Sequence, residues 1–219
     1  MLADFLYEGQ AYGVPPDYRE SLTWAQKAAD AGDPRGKAVL GFHYFDGGVI
    51  EGDWDKARAL AMEAIDAGNA KGKALLASLL YSGDNYAQER ERVLSLARDA
   101  AEAAEPSALG LLALMYAFDE TLQDNTVAER WARQGAGRAD PYSNFVLGWL
   151  YFNGFVVEQN YVSAWAYLTL ADMYMTDTGI APGGPLLPRL EALVDEEGRE
   201  QARLMQRNWF KEWGLEYEE

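Results

Sequence analysis

The sequence predicts an all-α fold: a right-handed α-solenoid of about four and a half stacked antiparallel helix pairs, closed by a C-terminal capping helix. Three observations predict it. The phrase AADAGDP at 28–34 returns almost unchanged as AIDAGNA at 64–70. The strings LGFHY (40–44), LASLL (76–80), LALMY (112–116) and LGWLY (147–151) repeat at nearly the same period. A third set of columns alternates large and small residues in the helices between those strings.

The phrase at 28–34 is punctuation between helices. Gly32 suits the left-handed residue that ends a helix, Asp33 an N-cap, and Pro34 the first helical position, where its missing N–H costs nothing. Gly32, Gly68, Ala104 and Ala139 share this column at spacings of 36, 36 and 35, and Asn69-Ala70, Glu105-Pro106 and Asp140-Pro141 follow as variants of the restart. The boundaries drawn from them are 1–32, 33–68, 69–104, 105–139 and 140–176, with 177–219 as linker and cap.

Within each pair, the first helix carries a large residue, a small residue one later and another large residue three after that. Such a spacing lies along one helical face, and the small residue lets a neighbouring helix approach closely. Gly47, Gly83 and Gly154 fall three residues beyond the last large position, where a C-terminal glycine should stop the helix. The second helix places Trp24, Leu60, Leu96, Trp131 and Tyr167 in one column and Ala28, Ala64, Ala100, Gly135 and Ala171 in another, four residues later. Large over small is a packing code for stacked helix pairs.

The pattern L-G-x-x-Y-x-x-G, a Val-bearing loop, an Asp-Tyr or Asp-Trp opening, then alanines and a closing A-G-[DN], resembles the Sel-one-like repeats, relatives of the tetratricopeptide repeats. GVPPDYRESLTWAQKAADAGDP, at 13–34, is especially close, and the resemblance covers roughly residues 1 to 175. It implies a non-enzymatic scaffold or adaptor that binds a protein partner. Residues 84–105 depart from it by lacking the glycine-valine loop, and Asp119 stands where a glycine is expected, so both hairpins should differ locally. Only about eight residues precede Gly9, so the first helix is short or begins upstream of residue 1. After about residue 176 the repeat stops; TGIAPGGP breaks helices, and residues 186–214 resume helical spacing as the expected cap.

Composition narrows the function. The chain holds 35 acidic and 19 basic residues among 219, a net charge of −16, which repels nucleic acid and anionic membranes. Without cysteine there is no disulfide, thiolate chemistry or Cys-based zinc site. A single histidine, His43, removes any multi-His metal site and reads as a packing or surface residue. DGGVIEGDWD, at 46–55, gathers four carboxylates, but their spacing fits no EF-hand; Asp53 reads as a helix cap. Glu196 and Glu197 are adjacent on a helix and diverge, and the glycines sit at helix ends rather than in a phosphate loop. No cofactor, no metal and no enzymatic activity are expected. No apolar run reaches membrane-spanning length and the start lacks a secretory flank, so a cytoplasmic location is expected. The sequence does not set the oligomeric state.

Function in a solenoid belongs to the surface lined by the first helices. If the tetratricopeptide geometry carries over, the groove positions are Ala38, Phe42, Phe45, Ala74, Ser78, Tyr81, Gly110, Leu114, Ala117, Phe145, Trp149 and Phe152, with Phe118 and Tyr142 beside them. The candidate partner-binding residues are therefore Phe42, Phe45, Tyr81, Phe118, Tyr142, Phe145, Trp149 and Phe152. One reading is a site for an apolar peptide or helix. The other is a tightly wound or self-filled groove whose rings are ordinary core. Residues 139–188 contain no Lys or Arg, which would draw a basic or amphipathic segment, or simply keep the array soluble. A bacterial immunity or inhibitor protein facing a basic toxin is the alternative function.

Overall fold

A computed structural model describes residues 2–8, 17–138, 140–173 and 184–212. Gly9, Ala139 and most of TGIAPGGP lie outside the described residues. Among those described, every regular element is a helix: α1 (Leu2–Tyr7), α2 (Tyr18–Asp30), α3 (Pro34–Asp46), α4 (Trp54–Asp66), α5 (Ala70–Tyr81), α6 (Tyr86–Glu102), α7 (Pro106–Phe118), α8 (Asn125–Ala136), α9 (Pro141–Asn153), α10 (Tyr161–Met173), α11 (Leu187–Glu191) and α12 (Glu196–Glu212). The chain divides into two compact units, 1–9 with 15–108 and 10–14 with 109–219.

The punctuation forms as the sequence requires. Gly32 and Gly68 turn left-handed at φ 83° and 78°, and Ala104, in the same column, is forced to φ 59° without being glycine. Asp33 then accepts the Gly36 N–H at 2.6 Å, Asn69 the Gly72 N–H at 3.2 Å, and Asp140 the Ser143 N–H at 2.7 Å. Each side chain thereby satisfies one of the amides that a helix start leaves without a partner. Asp53 caps α4 in the same way, accepting from Lys56 N–H at 3.0 Å.

Gly47 and Gly154 end α3 and α9 at φ 67° and 72°, as expected. Gly83 does not play that part. α5 ends through Ser82 in a right-handed conformation, its N–H on the Ser78 carbonyl, while the Gly83 carbonyl accepts from Tyr86 and starts α6 within four residues. With so short a link, a tight turn replaces the left-handed stop. At Asp119, a carboxylate oxygen accepts the N–H groups of Thr121 and Leu122 at 2.8 and 3.1 Å, a side-chain turn in place of glycine.

Where a loop connects the two helices of a pair, one backbone bond closes its base. Asp17 N–H donates to Leu6 C=O, Asp53 to Tyr44, Asp124 to Tyr116 and Asn160 to Tyr151, all at 2.9–3.0 Å.

In the first unit α1 pairs with α2, α3 with α4 and α5 with α6, and the first helices lie side by side, α1 on α3 and α3 on α5. The small columns explain this closeness. A Cβ added at Gly36 would come within 2.4 Å of the Ala28 Cβ, one at Gly72 within 2.7 Å of the Ala64 Cβ, and one at Gly41 within 2.4 Å of Leu75. In the second unit, Ala113, Ala132, Leu147, Leu150 and Tyr167 form the core of α7–α10. The helix α12 closes it: Trp209 stacks on Tyr167 with ring centroids 4.4 Å apart, and Gln206 donates to the Ala166 carbonyl at 2.7 Å. Burial beside the Tyr151 hydroxyl pushes the Tyr167 phenol up to about 12.

Candidate functional site

Three of the sequence-predicted residues meet in the second unit. Trp149, on the face of α9 set by its place one residue after Gly148, lies 4.7 Å from Phe118 in an edge-on contact, and Phe118 stacks on Phe145 at 5.8 Å. Phe118 ends α7 and is 39% exposed, whereas Phe145 and Trp149 are half-buried. Large aromatic surface left open to water in this way makes the cluster a candidate contact site.

A fourth ring joins them that the helical columns did not contain. Phe155, 41% exposed, lies 5.2 Å from Trp149. It follows the stop glycine Gly154 in the loop to α10, where the equivalent loop after α3 has Gly48. An apolar residue in that loop position is the signal that would have found it. Its placement is fixed by a three-residue turn in which Val157 N–H donates to Phe155 C=O at 2.6 Å, with Val156 between them at φ 53°. A β-branched residue in the left-handed region is strained, and such strain is held only where surrounding contacts over-determine it.

Two of the rings are followed closely in sequence by acid. Glu120 and Glu158, both exposed, follow Phe118 and Phe155 by two and three residues. Asp119 is buried and used within its own turn.

The other predicted residues have separate surroundings. Phe42 is only 5% exposed, with the Tyr7 ring 5.8 Å away and the Lys71 ammonium 5.6 Å from its centroid. Phe152, at 7%, packs against Tyr161 and beneath the Arg189 guanidinium. Neither ring has much surface left for a partner. Phe45 and Tyr81 are half-buried against Trp54 and Tyr86 respectively, and Tyr142 is half-buried near the start of α9. His43 is a packing residue: it is buried, bonded to Ser21 Oγ at 3.0 Å, and burial depresses its imidazole to about 4.

Among the described residues no group of His, Cys, Asp and Glu could hold a metal ion, and no helix is long and apolar enough to cross a membrane.

The Sel1 repeat family model matches residues 1–33, 35–69, 106–140 and 141–171. The pair at 70–105, which the family model leaves out, is the one without the glycine-valine loop. Among solved structures the chain is similar to c5321, a protective antigen of uropathogenic Escherichia coli displaying an SLR fold, with 21% identity and a TM-score of 0.62. That match covers 100% of this chain and 48% of the antigen, so the chain spans about half the antigen's length. A Sel1 repeat protein from Oxalobacter formigenes matches at 21% identity and TM-score 0.55, over 94% of this chain and 85% of that one. Immunity protein Pa5087 from Pseudomonas aeruginosa matches at 18% identity and TM-score 0.54, over 99% and 85%. At these identities the likeness is one of fold. No curated protein matches the sequence. The repeat model, the helix punctuation and the stacked small columns agree: the chain belongs to the Sel1 repeat family, whose fold is generally a non-catalytic scaffold for protein–protein interaction.

Proposed function

We propose that this chain is an adaptor that binds a partner protein through the aromatic cluster of its second unit. Phe118, Phe145, Trp149 and Phe155 form the contact surface, with Tyr142 at its edge. The observation that carries the reading is the pair of open rings, Phe118 and Phe155, on either side of Trp149. The partner element is amphipathic: an apolar side chain seats among the rings, and Lys or Arg beside it meets Glu120 and Glu158. The absence of Lys and Arg from 139–188 supports that polarity, since no cation of this segment competes for the carboxylates. Cationic groups also gain from the faces of Trp and Phe.

The test is affinity capture from the native lysate with the wild-type chain and with Phe118→Ser/Phe155→Ser, read by mass spectrometry. Both rings are exposed enough for the substitution to spare the fold, which circular dichroism checks. A stoichiometric partner lost in the double variant supports the reading. The same partner retained at equal yield removes the cluster from the contact surface.

A second reading, neutralisation of a cognate toxin, draws on the net charge of −16, which suits a basic target. The fold likeness to an immunity protein adds nothing about the target. A captured partner that is toxic when expressed alone, and harmless with this chain, would select that reading.

A further inference from the structure

Five ionisable side chains of the first unit meet in one cluster, four of them buried and the fifth, Arg35, reaching the surface. Lys71, on α5, is fully buried; its Nζ lies 3.0 Å from Asp4 Oδ1 and 3.6 Å from Glu105 Oε2, and it donates a hydrogen bond to Glu8 Oε1. Arg35, on α3, joins the same group, with Nε 2.7 Å from Asp4 Oδ2 and a terminal nitrogen 2.9 Å from Glu105 Oε1. Asp4 and Glu8 come from α1 and the residue just after it, Glu105 from the residue before α7. Arg35–Asp4 and Lys71–Glu105 join neighbouring first helices, while the ties from α1 to Lys71 and from Arg35 to Glu105 skip a repeat.

The charges do not balance, because three carboxyl groups face two cations. Asp4 Oδ1 and Glu105 Oε2 are buried within ion-pair range of Lys71 yet receive no well-directed hydrogen bond from the described residues. Uncompensated charge is strongly disfavoured away from water, and the smallest available compensation is a proton. Asp4 and Glu105 each pair with both Arg35 and Lys71, whereas Glu8 pairs with Lys71 alone, so the proton belongs on Glu8. Its neighbours are Asp4 and Tyr7 on its own segment, Arg35 on α3, Lys71 on α5 and Glu105 before α7. Burial, then Asp4 and Glu105, hold the Glu8 carboxyl above its ordinary range despite Lys71. Burial also opposes ionisation of Asp4, but Lys71 and Arg35 outweigh it and hold that carboxyl below its ordinary value.

We propose that α1 is a pH-responsive latch: it docks on α3 and α5 with Glu8 protonated, and its grip loosens as that proton is lost. What it covers is specific. Tyr7 lies edge-on to His43 at 5.0 Å and tilted against Phe42, and Ser21 donates to the Ala3 carbonyl at 2.8 Å. Release of α1 uncovers Phe42 and His43, the part of the first-helix surface that is otherwise closed.

The sign follows from linkage. A docked carboxyl that titrates above its free value of 4.5 strengthens docking fully below that value, and the gain is lost as pH rises through the docked one. Asp4 acts oppositely, only as pH falls below 3.8. His43, exposed on release, also favours release in acid, whereas Asp46 on α3, the acceptor of the Tyr7 hydroxyl, is raised by desolvation to about 6 and favours docking in acid as Glu8 does, so the test must isolate Glu8.

The chain has no cysteine, so Ala3→Cys creates a single reporter under α1. Full-length Ala3→Cys and Ala3→Cys/Glu8→Gln are reacted with 4,4′-dipyridyl disulfide from pH 5 to 9. The thiolate forms the mixed disulfide and one pyridinethione leaves, which is read by absorbance. The ratio of the two rates cancels thiol ionisation, His43 and Asp46. The expected ratio, the rate of the chain that keeps Glu8 over that of the Glu8→Gln chain, is smallest at pH 5 and rises several-fold to a plateau by pH 9, each unit of displaced titration being about one decade. A ratio that stays flat or falls with pH overturns the latch. Should Ala3→Cys alter the circular dichroism, Val39→Cys, buried in the same apolar cluster, gives the same readout. The outcome is independent of the aromatic cluster of the second unit.

Discussion

On α3 the position one after the small residue is Phe42, covered by Tyr7 and faced by the Lys71 ammonium. On α9 the same position is Trp149, half-buried, with the open rings of Phe118 and Phe155 beside it. The repeat register puts both side chains on equivalent faces, so register alone does not decide whether a face is open. Neighbours decide it. In the first unit, the second residues of α3 and α5 are Arg35 and Lys71, and they draw acids from α1 and from before α7 across the face. In the second unit the second residue of α9 is Tyr142, and rings rather than ion pairs line the face.

The largest effect that would break this contrast is Lys71→Met. Three buried carboxyl groups would lose their ammonium, and removal of one partner from a buried ionic group costs about 3–5 kcal/mol. The urea midpoint should fall accordingly, and a loss under about 1 kcal/mol would mean that the cluster is not sealed from water.

Acid sharpens the contrast next, because the titrating groups of this kind are concentrated in the first unit. His43 is depressed from 6.5 to about 4, so the folded chain binds fewer protons than the unfolded one between those values. Its contribution is fully present above pH 6.5 and declines as pH falls toward 4, by about 3 kcal/mol in all. His43→Gln should flatten that part of the pH–stability curve; an unchanged slope would assign the acid sensitivity elsewhere.

Trp149→Ala is the smallest expected change in stability. A fully buried Trp costs about 3–5 kcal/mol when truncated to Ala, and a half-exposed one about 1–2 kcal/mol. Thermal unfolding of the variant measures this directly. A loss as large as that of Lys71→Met would make Trp149 core and abolish the difference between the two faces.

Much of the fold was legible because helix ends are local. Gly32, Gly47, Gly68 and Gly154 took the left-handed conformation, and Asp33, Asp53 and Asp140 capped the helices that follow. Ala104 shows how firm the register is, since its column imposes a left-handed backbone that costs an alanine about 1–2 kcal/mol. Gly83 escaped because the short link to α6 admits a different turn. The candidate cluster was legible only on the helical columns, at Phe145 and Trp149, and at Phe118 beside them. Phe155 sits in a loop with no period to reveal it. The cluster around Lys71 joins groups 31 to 70 residues apart, and an isolated lysine on a helix reads as solvated until the fold brings those acids to it.

The backbone bond at the base of the four helix-pair loops other than the α5–α6 link is indifferent to loop length. It holds whether donor and acceptor lie eleven positions apart, as Leu6 and Asp17 do, nine, as Tyr44 and Asp53, or eight, as Tyr116 and Asp124. The hairpin is therefore fastened below the loop rather than through it, and the loop tips become interchangeable cassettes. Insertions and grafted recognition sequences placed there would leave the helices undisturbed.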